Sequence, residues 1–351
     1  MCCATAVAAL TVPAVSQAAT TKDVSLGPPA SAEKALQKAS ADVNAFFPGA
    51  ISVHVGDGVR FMPTGFHNVH FLGKSGKKTF AILPTGKKIA GVDDAAGTPF
   101  QFNGLPEQGL NPALFGPGKL GKTIVTNGTK EIQSGLPLSN KPKPMTVRFT
   151  KAGLYTYYCD LHPGMKGTVH VLAKRKPVPS AAADAKRVKL QVAKAITIAK
   201  GFAKHTAPAN TVDLGLLGSG GVTLYGFSPS KLTVPVGTTV TFQSPTGDGE
   251  VHTATTGPGD PESQPTSYLG TLAASLNNPV PSQAAIYPSD LTSVAALTPT
   301  LHGNGFWNGG VQDGSAATIL PNSSKVTFAA PGTYQFYCMI HPFMHGTITV
   351  Q

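Results

Sequence analysis

Over most of the chain, apolar residues alternate with polar ones in short runs bounded by Gly, Pro and Asn, a pattern that predicts strands. Tyr155, Tyr157 and Cys159 alternate after Gly153, and Tyr334, Phe336 and Cys338 alternate after Gly332. Period-two aromatics of this kind predict a strand with one face in a core. A returning strand is expected from Gly167 to Val171 and from Gly346 to Val350. Residues 46–61 and 226–242 each set alternating apolar residues around a Val-Gly turn, predicting two strands and a tight connection. Two stretches are helical instead. Residues 31–45 space Leu36, Ala39 and Val43 at helical intervals before Pro48, and residues 180–204 place Val188, Val192, Ile196, Ala199 and Phe202 on one face. The Gly/Pro/Asn-rich stretches 68–158 and 253–337 carry turn signals such as Asn127-Gly128 and Asn308-Gly309, so added hairpin or loop structure is expected there. A weak alignment pairs Phe115 with Phe306-Trp307.

The chain repeats itself. Residues 149–171 and 328–350 align at a constant offset of 179 positions with 11 of 23 residues identical, among them Cys, His, Pro, Met and Gly. Each half also presents an upstream histidine after its first strands, His67 in FHNVHF and His252 in EVHTAT. One module used twice is therefore expected: a leader-like segment 1–19, a helical segment 20–45, a first domain 46–172, a basic helical linker 173–208 and a second domain 209–351.

Composition agrees with a β-rich chain. Gly 39 and Pro 30 among 351 residues, with only 13% charged, favour many turns over long charged helices. The formal net charge of +11 suits an acidic protein partner or an anionic envelope surface. Residues 174–205 hold nine Lys/Arg against one Asp, so the excess sits largely on the linker. Such a helix is expected to pack its apolar side on a domain; contact with a membrane is the alternative. No nucleic-acid partner is expected, and the oligomeric state is left open. The first residues, MCCATAVAALTVPAVSQAA, form an apolar run ending in small residues, like a secretory leader without its usual basic start. A secreted, periplasmic or envelope location follows as an expectation. Cys2 and Cys3 would leave with that segment, and Cys159 and Cys338 remain.

The chemistry concentrates in Cys159-x-x-His162-x-x-Met165 and Cys338-x-x-His341-x-x-Met344. A thiolate, an imidazole and a thioether within seven residues make a soft donor set, which selects copper over magnesium, calcium or manganese. A second imidazole completes a His₂Cys site with an axial Met, the blue-copper arrangement, and His67 and His252 fit that role. Pro163 and Pro342 stiffen the loops. Cys159 and Cys338 occupy equivalent corners of separate domains, which argues against a disulfide between them. His54, His70, His170, His205, His302 and His345 lack this context and are expected at the surface or in packing, with His70 and His345 near enough to tune the sites.

These motifs resemble the cupredoxins, the plastocyanin, azurin and amicyanin family, and the Cys-x-x-His-Pro-x-Met loop is most similar to that of amicyanin. The resemblance covers both modules, but not the linker helix. It implies two Greek-key β-sandwiches, a mainly β fold with a helical segment before each domain. It also implies one type 1 copper per domain, two per chain, and an electron exit at the rim histidines His162 and His341. In that family an Asn after the first ligand braces the ligand loops, a role that Asn68 would take here; the second module has Thr253 at that position, and its role is left open.

Electron transfer to redox partner proteins is the leading expectation. Multicopper oxidases and copper nitrite reductases join similar domains, but they place histidine beside the blue-site cysteine and use His-x-His pairs. This chain has Tyr158-Cys159-Asp160 and Tyr337-Cys338-Met339 and no His-x-His, so no enzymatic activity is expected. Copper sequestration or delivery, or a binding role on the same scaffold, is the third reading.

Overall fold

The alternating aromatics before each cysteine do form strands. In the computed structural model, which describes residues 19–162, 164–247, 249–291, 295–316, 318 and 320–351, Gly153–Tyr158 pairs antiparallel with Lys166–Leu172, and Gly332–Tyr337 with His345–Val350. The leader-like residues 1–18, with Cys2 and Cys3, and the loop residue Pro163 lie outside the described residues. The repeat extends to register: Tyr157 faces Gly167, and Phe336 faces Gly346. A Cβ on Gly167 would sit 2.4 Å from the Tyr157 ring, so the glycine makes room for the aromatic. Each ring is almost wholly buried, worth about 1.5–3 kcal/mol of transfer free energy.

In the first module, one sheet orders Phe46–Phe47, Thr21–Leu26, Gly58–Pro63, Met145–Phe149 and Thr123–Thr126. The other orders Ile132–Gln133, His70–Phe71, Gly153–Tyr158, Lys166–Leu172 and Ala50–His54. Val24, Phe61 and Val147 from the first sheet and Ile51, Tyr157 and Val169 from the second share one core, which makes the pair a sandwich. The chain passes repeatedly between the sheets, as Greek-key connections do. The second module repeats this plan, with Val240, Phe242 and Val326 opposite Phe336, Ile348 and Val350.

Each Val-Gly turn joins two strands tightly, and the two lie in opposite sheets: Ala50–His54 and Gly58–Pro63, and likewise Lys231–Val234 and Thr239–Gln243. The turn is an arch across the sandwich, because each strand has its apolar face toward the same core from the opposite side. Two other local expectations change. The helix expected over 31–45 stops at Gln37; Ser40 takes a left-handed φ of 48°, and Ala41–Val43 becomes a strand. That strand pairs with Val222–Ser228 at the edge of the second module's sheet, where pairing outweighs a weak helical preference. Residues 20–45 also contribute Thr21–Leu26 to the first module's sheet, parallel to Gly58–Pro63. Finally, Trp307–Asn308 pairs with Thr255–Thr256, while the equivalent partner of His70–Phe71 is Ile132–Gln133; Phe115 closes the short helix Pro112–Phe115 instead.

The basic helix, Ala181–Gly201, packs as expected. Ala195 and Ala199 are buried, and Val188, Val192, Ile196 and Phe202 lie against Leu36, Val43, Phe47 and Val222, drawn from both modules. Its lysines face outward, while Lys22 anchors it through Asp184 at 2.7 Å. No helix among the described residues is long and apolar enough to cross a membrane. The long inserts meet each other: Ile89, Phe100 and Phe102 of the first pack on Leu269, Leu272 and Phe306 of the second, beside Tyr337 and Met339.

Candidate metal centres

Both cysteines are buried just past the end of a strand that turns its aromatic Tyr157 or Phe336 into the core, and the loop that follows closes in the same way twice. The Cys159 N–H donates to the Met165 carbonyl at 3.0 Å and the Met165 N–H to the His162 carbonyl at 2.9 Å. The matching bonds from Cys338 to Met344 and from Met344 to His341 measure 3.0 and 2.8 Å. Met165 and Met344 are buried in the same cores as their cysteines.

Each upstream histidine lies beside the cysteine of its own half. Cys159 Sγ lies 3.4 Å from His162 Nδ1 and 3.9 Å from His67 Nδ1, and the two Nδ1 atoms are 2.9 Å apart. The point in that plane equidistant from all three atoms lies about 2.0 Å from each, the length of a first-row metal–nitrogen bond and a few tenths of an ångström short of a metal–sulfur bond. In the second pocket Cys338 Sγ lies 3.6 Å from His341 Nδ1 and 3.9 Å from His252 Nδ1. Among the described residues these are the two groups of three His, Cys, Asp or Glu side chains close enough to share an ion. The cysteines are free and lie in different pockets.

Glycines hold the upstream rings in place. A Cβ on Gly65 would lie 2.8 Å from His67 Cδ2, and one on Gly215, at φ +79°, would lie 2.9 Å from His252 Nε2. Gly215 sits at a register shift in Thr211–Gly218, where the bulge turns the strand around the imidazole. The next residue bridges the ligand loops. Asn68 Oδ1 accepts the N–H of Asp160 at 2.8 Å, and its amide donates to the Asp160 carboxylate at 2.8 Å. Thr253 does the same job in the second module: its Oγ1 accepts the N–H of Met339 at 2.8 Å, while its own N–H points at Cys338 Sγ, 3.4 Å away. A hydroxyl and an amide oxygen thus satisfy the same backbone donor.

The thiols are tuned toward thiolate, the form that binds metal. Burial alone would raise Cys159, but the charge and hydrogen bond of His162, then those of His67, bring it down to about 5. Cys338 is likewise held well below an ordinary thiol, against its burial, by His252 and His341.

Asp160 and Glu131, carboxylates beside the first pocket, were not picked out from sequence, whereas His70 was expected near enough to tune it. His70 is buried between Asp160, at 3.0 Å, and Glu131, at 2.8 Å. Burial opposes its charge, but Asp160 and then Glu131 outweigh that and raise its pKa. His345 is exposed beside the Tyr337 ring, and its carboxylate neighbour is Asp260, whose pKa it helps to lower. The larger omission is Glu250. This buried carboxylate of the second module accepts from His162 Nε2 of the first at 2.8 Å. A hydrogen bond at Nε2 fixes the tautomer that leaves Nδ1 for an ion. Burial works against the Glu250 anion, yet His162, then His341 and His252, hold it well below the usual carboxylate range. The ring edge of His162, implied as an electron exit, therefore meets Glu250 and is only 7% exposed. His162 and His341 border one cleft between the modules, about 1010 Å³ in volume, with Tyr225, Phe66 and Phe343.

No family model matches the chain, and no curated protein does. Solved structures to which it is similar are cupredoxins. The oxidized form of plastocyanin from Dryopteris crassirhizoma is 24% identical over 40% of this chain and 99% of its own, with a TM-score of 0.21. A purple cupredoxin from Nitrosopumilus maritimus is 17% identical over 40% and 98%, with a TM-score of 0.20. Native pseudoazurin from Hyphomicrobium denitrificans is 17% identical over 50% and 97%, with a TM-score of 0.22. Likeness at this level bears at most on fold; what each pocket can hold follows from its own ligand atoms.

Proposed function

We propose that the chain is an exported copper-binding electron carrier with two type 1 sites, one in each module. The observation that carries this reading is the first pocket's triangle of one sulfur and two Nδ1 atoms, whose centre lies about 2.0 Å from all three. His67, Cys159, His162 and Met165 would hold one ion, and His252, Cys338, His341 and Met344 the other. Copper held there supplies a one-electron couple between Cu(II) and Cu(I).

The chain's own residues do the rest. Buried cysteine and methionine side chains and paired backbone hydrogen bonds hold the donors in one geometry, so little rearrangement accompanies a change of charge. Asn68 and Thr253 tie each upstream ligand to the residue after the cysteine. The outward lysines of Ala181–Gly201 suit an acidic redox partner, whose association would slow as salt rises. A carrier is favoured over an enzyme because neither cysteine is flanked by a histidine that could serve a second kind of copper.

Loading the purified protein with Cu(II) should give two coppers per chain, intense visible absorption and narrow copper hyperfine splitting by EPR. Cys159→Ser and Cys338→Ser should each remove one of the two signals. If either variant kept both, the ligand assignment would be wrong. Ready loss of copper to a weak chelator would favour sequestration or delivery instead. Export is tested separately, by expressing the chain with residues 1–19 and locating the mature N-terminus.

A further inference from the structure

Glu250 carries more than a bond to one ligand. Its Oε2 accepts from His162 Nε2 of the first pocket at 2.8 Å, from Tyr225 Oη at 3.1 Å and from Asn44 Nδ2 at 3.3 Å. Tyr225 in turn sets its ring edge-on to His341 of the second pocket, with centroids 4.8 Å apart at 72°. A continuous run of contacts therefore leads from a ligand of one pocket to a ligand of the other, along the wall of the cleft between the modules.

The two ends of that run differ. His162 hydrogen-bonds directly to a carboxylate, whereas His341 meets the aromatic rings of Tyr225 and Phe343. Asp160, its charge offset by His70, follows Cys159, whereas the apolar Met339 follows Cys338. An anion bonded to a ligand imidazole strengthens that ligand and favours the more highly charged state of an ion held by it.

We propose that Glu250 joins the two pockets into one internally connected unit, in which the first has the lower reduction potential and passes electrons to the second through Glu250 and Tyr225. This rests on the copper reading above. With copper held in both pockets the step would balance within the chain: one electron would leave the first ligand set, oxidising Cu(I) to Cu(II), and arrive at the second, reducing Cu(II) to Cu(I). The proton between His162 and Glu250 stays in place, and nothing else is consumed. Glu250 is a positioning residue, since it touches ligands and not the ions.

The test uses the two-copper protein. Cys338→Ser and Cys159→Ser isolate the first and second sites, so that each potential is measured alone by redox titration followed optically and by EPR. Adding Glu250→Gln, which keeps the shape, should shift the first site toward Cu(I) about tenfold, or about 59 mV upward, with a smaller shift at the second. In the intact protein, one reducing equivalent should settle on the second site and leave the EPR signal of the first. After pulsed reduction, redistribution between sites should be independent of protein concentration. Tyr225→Phe should slow it several-fold without moving the potential of the first site. Two intact blue sites whose potentials ignore Glu250→Gln, or whose exchange is only intermolecular, would overturn the proposal and leave the copper reading standing. Failure to take up copper in both pockets would overturn both.

Discussion

Replacing Thr253 by Val tests whether the second module needs the hydroxyl that bridges its ligand loops. The two side chains have nearly the same shape, so packing at this fully buried position is kept and only hydrogen bonds are lost. Thr253 Oγ1 accepts from the Met339 N–H at 2.8 Å and pairs with Thr255 Oγ1 at 3.0 Å, which itself donates to Asn308 Oδ1 at 2.9 Å. Valine leaves the Met339 N–H buried without a partner, at a cost of about 1–3 kcal/mol, and shortens a buried polar chain. An overall loss of about 2–3 kcal/mol is expected, equivalent to a fall of roughly 5–10 °C in the melting temperature of a module this size. The assay is urea unfolding of copper-loaded protein in a Cys159→Ser background, where the remaining visible band reports on the second pocket alone. The variant should unfold at lower urea with an unchanged slope. A loss below about 0.5 kcal/mol, within the range of an ordinary surface substitution, would refute the bridging role of Thr253.

Other outcomes follow from the same geometry. The Tyr157 hydroxyl is buried without a hydrogen-bond partner among the described residues, and the equivalent residue in the repeat is Phe336; Tyr157→Phe should stabilise the first module by about 1–2 kcal/mol in denaturant titration. Gly215→Ala should cost about 1–3 kcal/mol and broaden the EPR signal of the second site. It forces a side chain into a left-handed φ of 79° against Leu224 O and His252. His302 links Asp94 of the first insert to Asp290 of the second module, and its pKa is raised, chiefly by Asp290 and then, against burial, by Asp94. A raised histidine contributes stability that is complete below its unfolded value near 6.5 and fades as pH climbs through the folded one. Native protein should therefore lose stability relative to His302→Gln as pH rises from about 6 toward 8, as measured by urea midpoints at each pH.

What the sequence displayed, and what it hid, divides along range of interaction. Cys, His and Met lie within seven residues of each other, and the 179-residue repeat shows the same donors twice, so the pockets could be read without coordinates. His67 and His252 were legible because each follows strands that a sandwich folds back toward the cysteine. The role of Thr253 was not, because a hydroxyl and an amide look unlike in sequence and become equivalent only when both meet the backbone N–H after the cysteine. Glu250 was hidden for a stronger reason. It stands two residues before His252, yet its main partner, His162, belongs to the other module, and no local period encodes that docking. The strand Ala41–Val43 was misread as helix for the same cause: its pairing partner, Val222–Ser228, is nearly two hundred residues away. Around the Val-Gly turns the two strands were legible but their separation into opposite sheets was not, since alternation reveals which face is buried but not which sheet receives the strand.

The central claim is that one sulfur and two imidazole nitrogens in each module close around a copper ion. X-ray absorption at the copper edge, on Cu(II)-loaded Cys338→Ser protein, tests it most directly. The first pocket's geometry predicts a shell of two nitrogens at about 2.0 Å and one short sulfur, lost when Cys159 is also replaced. A shell of oxygen and nitrogen alone, or one indifferent to Cys159, would contradict it.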